Sequence, residues 1–168
     1  MVEIETERLR LAPVREEDLP RILDVFASNP RYLEWTEGGD YDLDALREDW
    51  QTADKEPGRH MLALRDKEEG EIVGVLEYLE ANDRDGHPWI GLIMMDAAHQ
   101  REGLAGEAMT AVCEHINFNW ASPVRLAVID ENGAGVALAI SLGFQPYGET
   151  FQDLGDGEQR LVLMERRA

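Results

Sequence analysis

The sequence predicts an α+β fold, with one domain over residues 1–168 and a central mixed, mostly antiparallel sheet of about seven strands flanked by about four helices. Apolar runs of strand length alternate along the chain with segments whose apolar residues recur at helical spacing. Two polar turns, Asp66–Gly70 and Asn82–Pro88, join consecutive predicted strands and favour antiparallel pairing. The 168 residues, 43% of them hydrophobic, are typical of one globular domain.

The N-terminal part is predicted to hold one strand and one helix. The strand ends at Leu9–Ala12, before Pro13. The helix follows Arg15, opens on three acidic residues that suit a helix N-terminus, and stops at Ser28–Pro30.

The segment Arg31–Tyr41 combines aromatic residues with two glycines and is predicted to be a loop. Its Tyr32 and Trp35 either line a substrate entrance or seal one edge of the core, and the sequence favours neither. A second helix is predicted after Asp42, a suitable N-cap residue.

The remaining predicted elements follow in order. They are strands His60–Arg65, Ile72–Leu79 and Trp89–Met95, a helix after the loop Gln100–Gly106, strand Val124–Ile129, a short helix opened by Asn132 and closed by Gly143, a strand from Phe144, a hairpin turn at Gly155–Gly157, and strand Arg160–Glu165.

The stretch from Trp89 to Met109 predicts an anion site. A buried strand leads into a loop with Gly103 and Gly106, and a helix follows. The first N–H groups of a helix have no intrahelical acceptor, and its dipole favours negative charge there. Glycines allow a phosphate to approach the backbone, so we interpret the loop as the site of a phosphorylated cofactor. The simpler alternative is an ordinary strand-to-helix turn.

Other phosphate and metal motifs are not supported. The chain has neither the nucleotide P-loop string nor the dinucleotide fingerprint. Its four histidines lack metal-ligand spacing, so no metal is expected. Cys113, the single cysteine, lies on an apolar helix stripe and is interpreted as a buried hydrophobe.

Composition limits the classes of partner. A formal charge of −19, from 35 acidic against 16 basic residues, argues against nucleic acid. The acidity fits a solvated surface, a salt-adapted host or attraction of cationic amines, and net charge cannot separate these. With no apolar run of membrane length, no signal-like opening and one cysteine, we expect a cytoplasmic protein that does not enter the membrane.

Three segments together carry a family resemblance. They are Thr6–Leu11 with Arg15–Leu19, the loop Gln100–Ala105, and Asn132 with Leu138 and Leu142–Phe144. In these segments the chain resembles the Gcn5-related N-acetyltransferase (GNAT) superfamily. The first resembles the opening of its ribosomal-protein N-terminal acetyltransferase branch, the second its acyl-CoA pyrophosphate loop and the third its closing pattern.

The resemblance implies a splayed sheet that holds acetyl-CoA as cosubstrate. Backbone N–H groups of the loop would bind the pyrophosphate, the strand before it would pair with the pantetheine arm, and Asn132 would contact the coenzyme from the other side. The implied coenzyme-binding residues are Ile93, Met94, Met95, Gln100, Arg101, Glu102, Gly103, Leu104, Ala105, Gly106 and Asn132. The side chain of Glu102 would point to water.

The catalytic residues depart from the family's pattern. Its usual glutamate aligns with Trp89 or Ile90 and its usual tyrosine with Ala139. Glu77 and Tyr78 are the nearest substitutes, although neighbours on a strand point to opposite faces. Burial in an apolar strand would raise the pKa of Glu77 toward that of a base, whereas the alternative is a solvent-facing glutamate. His60 is another candidate base.

The predicted function is acetyl-CoA-dependent N-acetylation of a primary amine by direct attack in a ternary complex. The alternatives are a catalytically silent acyl-CoA-binding or sensing module and a structural domain without coenzyme. The acceptor, a small molecule or a peptide N-terminus, cannot be identified from the sequence. A homodimer is possible by resemblance.

Overall fold

The computed structural model describes residues 1–155 and 157–167. Within these residues the strands are β1 Ile4–Glu5, β2 Leu9–Pro13, β3 Arg59–Asp66, β4 Ile72–Leu79, β5 Trp89–Met95, β6 Val124–Ile129, β7 Gln145–Leu154 and β8 Gly157–Arg166. The helices are α1 Leu19–Ala27, α2 Pro30–Glu37, α3 Leu43–Lys55, α4 Leu104–Trp120 and α5 Gly133–Ser141, with short 3-10 turns at Glu16–Asp18 and Ala97–His99.

All of the strands form one mixed sheet in the order β1-β2-β3-β4-β5-β6-β8-β7. Every neighbouring pair is antiparallel except β5 and β6, which are parallel. The predicted α+β fold is therefore confirmed. The described sheet has eight strands rather than about seven, because the two-residue β1 is too short to give a periodic signal.

Both faces of the sheet are covered by helices. One core cluster packs α4 residues such as Met109 and Ile116 against Leu76 and Tyr78 of β4. The second packs α1 and α3 against the opposite face, where Val75 is fully buried. Burial on both faces explains why β4 is an almost continuous apolar run.

The predicted loop Arg31–Tyr41 is wrong over its first part, which belongs to α2. Pro30 lies at the start of this helix, where the missing N–H breaks no hydrogen bond, and Gly38 ends it with a φ of 71°. Trp35 is 9% exposed and packs against Ile129 and Leu161. The proline stops α1 as predicted, but it also starts the next helix.

The sequence predicts that Gly143 ends α5. Gly143 follows α5 with a φ of 90°, which confirms it as the residue that closes this helix.

The predicted hairpin turn Gly155–Gly157 includes Asp156, which lies outside the described residues, as does Ala168 at the end of the predicted domain. On either side of that turn β7 and β8 pair antiparallel, beginning with Leu154 opposite Gly157.

Among the described residues, no helix combines the length and apolar character needed to cross a membrane.

Candidate active site

The sheet opens between its two parallel strands. β5 and β6 pair only where Trp89 lies opposite Arg125, supported by the Arg125 N–H donating to the Pro88 carbonyl at 2.9 Å. Beyond that point β5 continues along β4 and β6 along β8, so the two strands diverge. The predicted splay of the sheet is confirmed.

A cavity of about 760 Å³ occupies this opening. Its walls come from β5, β6, α2, α5 and the start of α4. The lining residues include Asn29, Tyr32, Trp35, Ile90–Met95, His99–Arg101, Gly103–Gly106, Leu126–Val128, Asn132, Leu138 and Ala139. Most of the sequence-predicted coenzyme residues thus meet at one site, and Glu102 alone of that set is outside the lining.

The register of β5 determines which of its backbone groups face the opening. The Asp96 N–H donates to the carbonyl of Val73, which lies directly opposite because Gly74 pairs with Met95. Hydrogen-bonded and non-hydrogen-bonded pairs alternate in an antiparallel ladder. The N–H and C=O groups of Ile93 and Met95 therefore point away from β4 and into the gap.

One of these backbone groups, the Met95 carbonyl, is already hydrogen-bonded to side chains. The Met95 carbonyl accepts from Asn29 Nδ2 at 2.9 Å and from Gln100 Nε2 at 3.1 Å. Gln100 Nε2 also donates to Asn29 Oδ1 at 2.7 Å, so its amide ties the loop to the start of α2. The sequence analysis did not identify Asn29 as a residue of the site, because Ser28–Pro30 was interpreted only as the end of the first helix.

The loop before α4 presents unpaired donors to the cavity. Gly103 is the N-cap, with a φ of 82° that favours glycine, and Arg101 also has a positive φ of 65°. Within the described residues, the N–H groups of Leu104, Ala105 and Gly106 have no acceptor. The helix behind them is 17 residues long, so its dipole adds positive potential at the same place.

Gly106 lies next to the last turn of α5. A Cβ at this position would lie 3.4 Å from Leu142 Cδ2 and 3.7 Å from Leu138 Cδ1, which is ordinary contact distance. A methyl group would therefore fit there, and this packing does not by itself require glycine.

Glu102 and Asn132, the last two predicted coenzyme residues, differ in their position relative to the cavity. The Glu102 side chain is 48% exposed and lies near His99, as the prediction that it points to water requires. Asn132 lines the cavity, but its Oδ1 caps α5 by accepting from the Gly135 N–H at 3.0 Å.

Glu77 lies beside the opening without lining it. Its Oε1 accepts from Arg59 Nη1 at 2.6 Å, and a Cβ on the cavity residue Gly91 would be 3.3 Å from the same oxygen. The side chain is 15% exposed, so the solvent-facing alternative is not observed. Burial raises the pKa of Glu77, and the charge and hydrogen bond of Arg59 only partly offset this.

Tyr78 points to the opposite face of the sheet. It has no exposed surface, its ring stacks on His60 at 4.8 Å and meets His115 edge-on at 6.3 Å, and its hydroxyl has no hydrogen-bond partner among the described residues. Burial raises its pKa to about 12. His60 in turn is paired with Glu80 at 2.8 Å. The structure therefore does not bring the predicted catalytic pair together.

The sequence singled out Tyr32 only as an aromatic residue, for either a substrate entrance or a core edge, and not as a titratable group. Tyr32 lines the wall, and burial together with the charges of Glu37 and Glu77 raises its pKa to about 12. The only sequence signal was its aromatic character. Within residues 1–155 and 157–167, no cluster of three or more His, Cys, Asp or Glu side chains could hold a metal ion.

Comparisons with known proteins agree with this geometry. A family model described as an acetyltransferase (GNAT) domain matches residues 8–145. No curated protein sequence matches the chain significantly.

Several solved structures share the fold. An acetyltransferase of Salmonella typhimurium that modifies the N-terminal serine of ribosomal subunit protein L7/L12 is 16% identical, with 99% of each chain covered and a TM-score of 0.85. Spermidine N-acetyltransferase of Vibrio cholerae, in complex with CoA and spermine, is 19% identical, with 94% of each chain covered and a TM-score of 0.75. A GNAT-family acetyltransferase of Bacillus anthracis is 15% identical over 98% of this chain and 97% of that one, with a TM-score of 0.78. At such low identities these likenesses show the fold alone.

Proposed function

This chain belongs to the GNAT acetyltransferase family, whose membership implies acetyl-CoA-dependent N-acetylation, and on that premise we propose that it acetylates a primary amine by direct attack in a ternary complex. The observation that carries the proposal is the opening between β5 and β6, where strand backbone and helix N–H groups face one cavity.

The chain's own atoms suit an extended acyl-CoA. The N–H groups of Leu104, Ala105 and Gly106 would bind the diphosphate, which needs several donors and no side-chain charge. The N–H and C=O of Ile93 would pair with the amides of the pantetheine arm. A bound acetyl-CoA supplies an activated acetyl group, and the Met95 N–H would face its carbonyl oxygen where negative charge develops.

Glu77 is the proposed base. A protonated amine has no free electron pair for attack, so a proton must first leave it. The Glu77 carboxylate lies over Gly91 at the edge of the cavity, and burial raises its pKa toward a base's range. It would accept this proton through a water molecule, while Arg59 holds it in place. The position of Tyr78 on the other face gives no support to a role as the acid.

A second candidate function is a catalytically silent acyl-CoA-binding module. Two observations favour it: Ala139 contributes only a methyl group to the cavity wall where the family often has a tyrosine, and Glu77 is engaged by Arg59.

Two measurements separate these functions. Thermal unfolding with and without coenzyme A tests binding, and thiol release with acetyl-CoA and a panel of amines tests transfer. The panel contains a polyamine, an aminoglycoside, an amino acid and a peptide with a free N-terminus. Stabilisation with turnover on one class supports the enzyme, and stabilisation without turnover supports the silent module. No stabilisation rejects both.

The acceptor and the assembly form the finer part of the proposal. An amine that is a small molecule or a peptide N-terminus suits the family, and the formal charge of −19 would favour a cationic acceptor by long-range attraction. A homodimer in the cytoplasm remains a prediction, tested by light scattering and by fractionation of cells.

A further inference from the structure

Arg8 connects the N-terminal segment to the loop before α4. Its Nε and its backbone N–H each donate to the carboxylate of Glu107 at 2.8 Å, and its Nη1 donates to the Glu102 carbonyl at 2.9 Å. Thr6 Oγ1 donates to the same carboxylate at 2.6 Å. The Arg8 guanidinium therefore binds both the Glu107 side chain and the Glu102 carbonyl, each nearly 100 residues away from Arg8 in sequence.

The bond to the Glu102 carbonyl fixes one peptide plane. In a trans peptide the C=O of one residue and the N–H of the next point in opposite directions. Because the Glu102 oxygen faces Arg8, the Gly103 N–H points away from Arg8. Gly103 lines the cavity and Arg8 does not, so this orientation turns the amide to the cavity side. A Cβ on Gly103 would lie 3.4 Å from Arg8 Nη2, so the guanidinium lies directly behind the loop.

The same contacts also neutralise the negative charge of Glu107 near the proposed diphosphate site. Glu107 lies in the first turn of α4, where an anionic side chain would repel a bound diphosphate. Arg8 and Thr6 together engage both of its carboxylate oxygens. Although partial burial raises the pKa of Glu107, hydrogen bonds from Thr6 and Arg8 outweigh it and lower this pKa, so the carboxylate is ionised and paired.

We propose that Arg8 is a positioning residue of the diphosphate site, which holds the Glu102–Gly103 peptide with its N–H toward the ligand and neutralises Glu107. The inference rests on the proposed binding of acetyl-CoA at this loop. It differs from direct phosphate recognition, because Arg8 acts from behind the loop through backbone and Glu107.

The test compares Arg8→Ala with Arg10→Ala, a matched control. Arg10 lies two residues further along the chain, within β2, and among the described residues its guanidinium pairs with the exposed Glu3 at 3.2 Å. Calorimetry with coenzyme A should show a Kd raised about tenfold or more for Arg8→Ala, which corresponds to one charged hydrogen bond, and no more than about twofold for Arg10→Ala. Equal affinity in Arg8→Ala and the native chain overturns the inference.

A substrate that lacks the diphosphate distinguishes a specific effect of Arg8→Ala on the diphosphate site from a general loss of structure. S-acetylpantetheine carries the acyl arm alone, so kcat/KM with it should be the same in Arg8→Ala and the native chain, whereas KM for acetyl-CoA rises and kcat stays. Equal losses with both ligands overturn the inference.

Arg8→Lys tests geometry at constant charge and serves also if Arg8→Ala does not fold. An ammonium group cannot reproduce the guanidinium fork between Glu107 and the loop carbonyl, so we expect weakened coenzyme binding. Native affinity in Arg8→Lys overturns the positioning role. If the native chain itself binds no coenzyme A, the proposed function fails, which is distinct from failure of Arg8 alone.

Discussion

Glu77 has a different environment from every other residue of its strand. It is the one acid in an otherwise apolar and mostly buried strand, and it contacts Arg59 on one side and Gly91 at the cavity wall on the other. A charged carboxylate loses solvation there, and the arginine restores only part of it. These opposing effects leave the pKa of the Glu77 carboxyl raised, which is the direction that suits a general base.

We expect Glu77→Gln to lower kcat at least about tenfold, because amide nitrogen and oxygen cannot take up the amine's proton. Affinity for coenzyme A should change little. In the native chain kcat/KM should rise with pH through a pKa above the usual glutamate range, since only the ionised form is the base. Glu71→Gln, which changes an exposed acid beside the same strand, is the control. Full activity of Glu77→Gln across pH would remove Glu77 from the mechanism.

Tyr78→Phe separates the two neighbours. The hydroxyl is buried without a partner among the described residues, so its removal relieves an unpaired polar group. We expect a free energy of unfolding that is unchanged or raised by up to about 1 kcal/mol, measured by urea denaturation. We expect kcat within about twofold of the native value, because a buried hydroxyl on the far face does not reach the cavity. A large fall in kcat at unchanged stability would instead identify Tyr78 as the acid.

At the scale of elements, the site depends on how strand β5 ends and helix α4 begins. The strand leaves its parallel partner after one residue pair, which frees backbone groups, and the loop returns the chain so that the helix N-terminus faces the same cavity. Arg101 and Gly103 both have a positive φ, and these two residues turn the chain from β5 into α4 within a short loop.

We expect Gly103→Val to weaken acetyl-CoA binding about tenfold or more, because a β-branched residue is strained at a φ of 82° and would displace the loop amides. Gly70→Val is a matched control. Gly70 has a φ of 74° in the β3–β4 turn, and a Cβ there has no neighbour within 4 Å. Both variants should melt at lower temperature, but calorimetry should show lost affinity for Gly103→Val alone. Equal affinity in the two would contradict the assignment of the loop.

At the scale of the whole molecule, arginine–carboxylate pairs hold distant segments together despite the large negative charge. Arg21 pairs with Asp96 at 3.0 Å and joins α1 to the end of β5, and Arg125 pairs with Asp85 and Glu165. Burial raises the pKa of each of these carboxyls, but hydrogen bonds and arginine charge outweigh it and lower the pKa.

The pH dependence of folding follows from these signs. A carboxyl with a lowered folded pKa binds protons less readily in the folded than in the unfolded chain, so its stabilisation is present above the unfolded pKa and is lost as pH falls through the folded pKa. Net repulsion meanwhile decreases as pH falls toward the isoelectric point of about 4.4. We expect urea denaturation to show little loss of stability from pH 7 to about 5 and a steep loss below about 4. A steady decline from pH 7 would contradict this.

Much of the fold followed from local patterns. The strands His60–Arg65, Ile72–Leu79 and Trp89–Met95 were predicted within a residue or two, because a buried strand leaves an apolar run bounded by polar turns. The helix over Pro30–Glu37 was missed because proline signals both a stop and a start, and only packing of Trp35 against Ile129 and Leu161 decides between them. The short β1 gave no signal.

The sequence alone determined the glycine loop before α4, which we propose as the diphosphate site, because glycines and a following apolar helix stripe are local features that predict free backbone donors without tertiary context. It also determined that β5 is a buried strand before that loop. Only the tertiary structure decided which face of β4 each side chain takes, and so placed Glu77 beside the cavity and Tyr78 in the opposite core. It alone connected Arg8 to Glu102 and Glu107, because a contact between residues nearly 100 positions apart depends on chain topology.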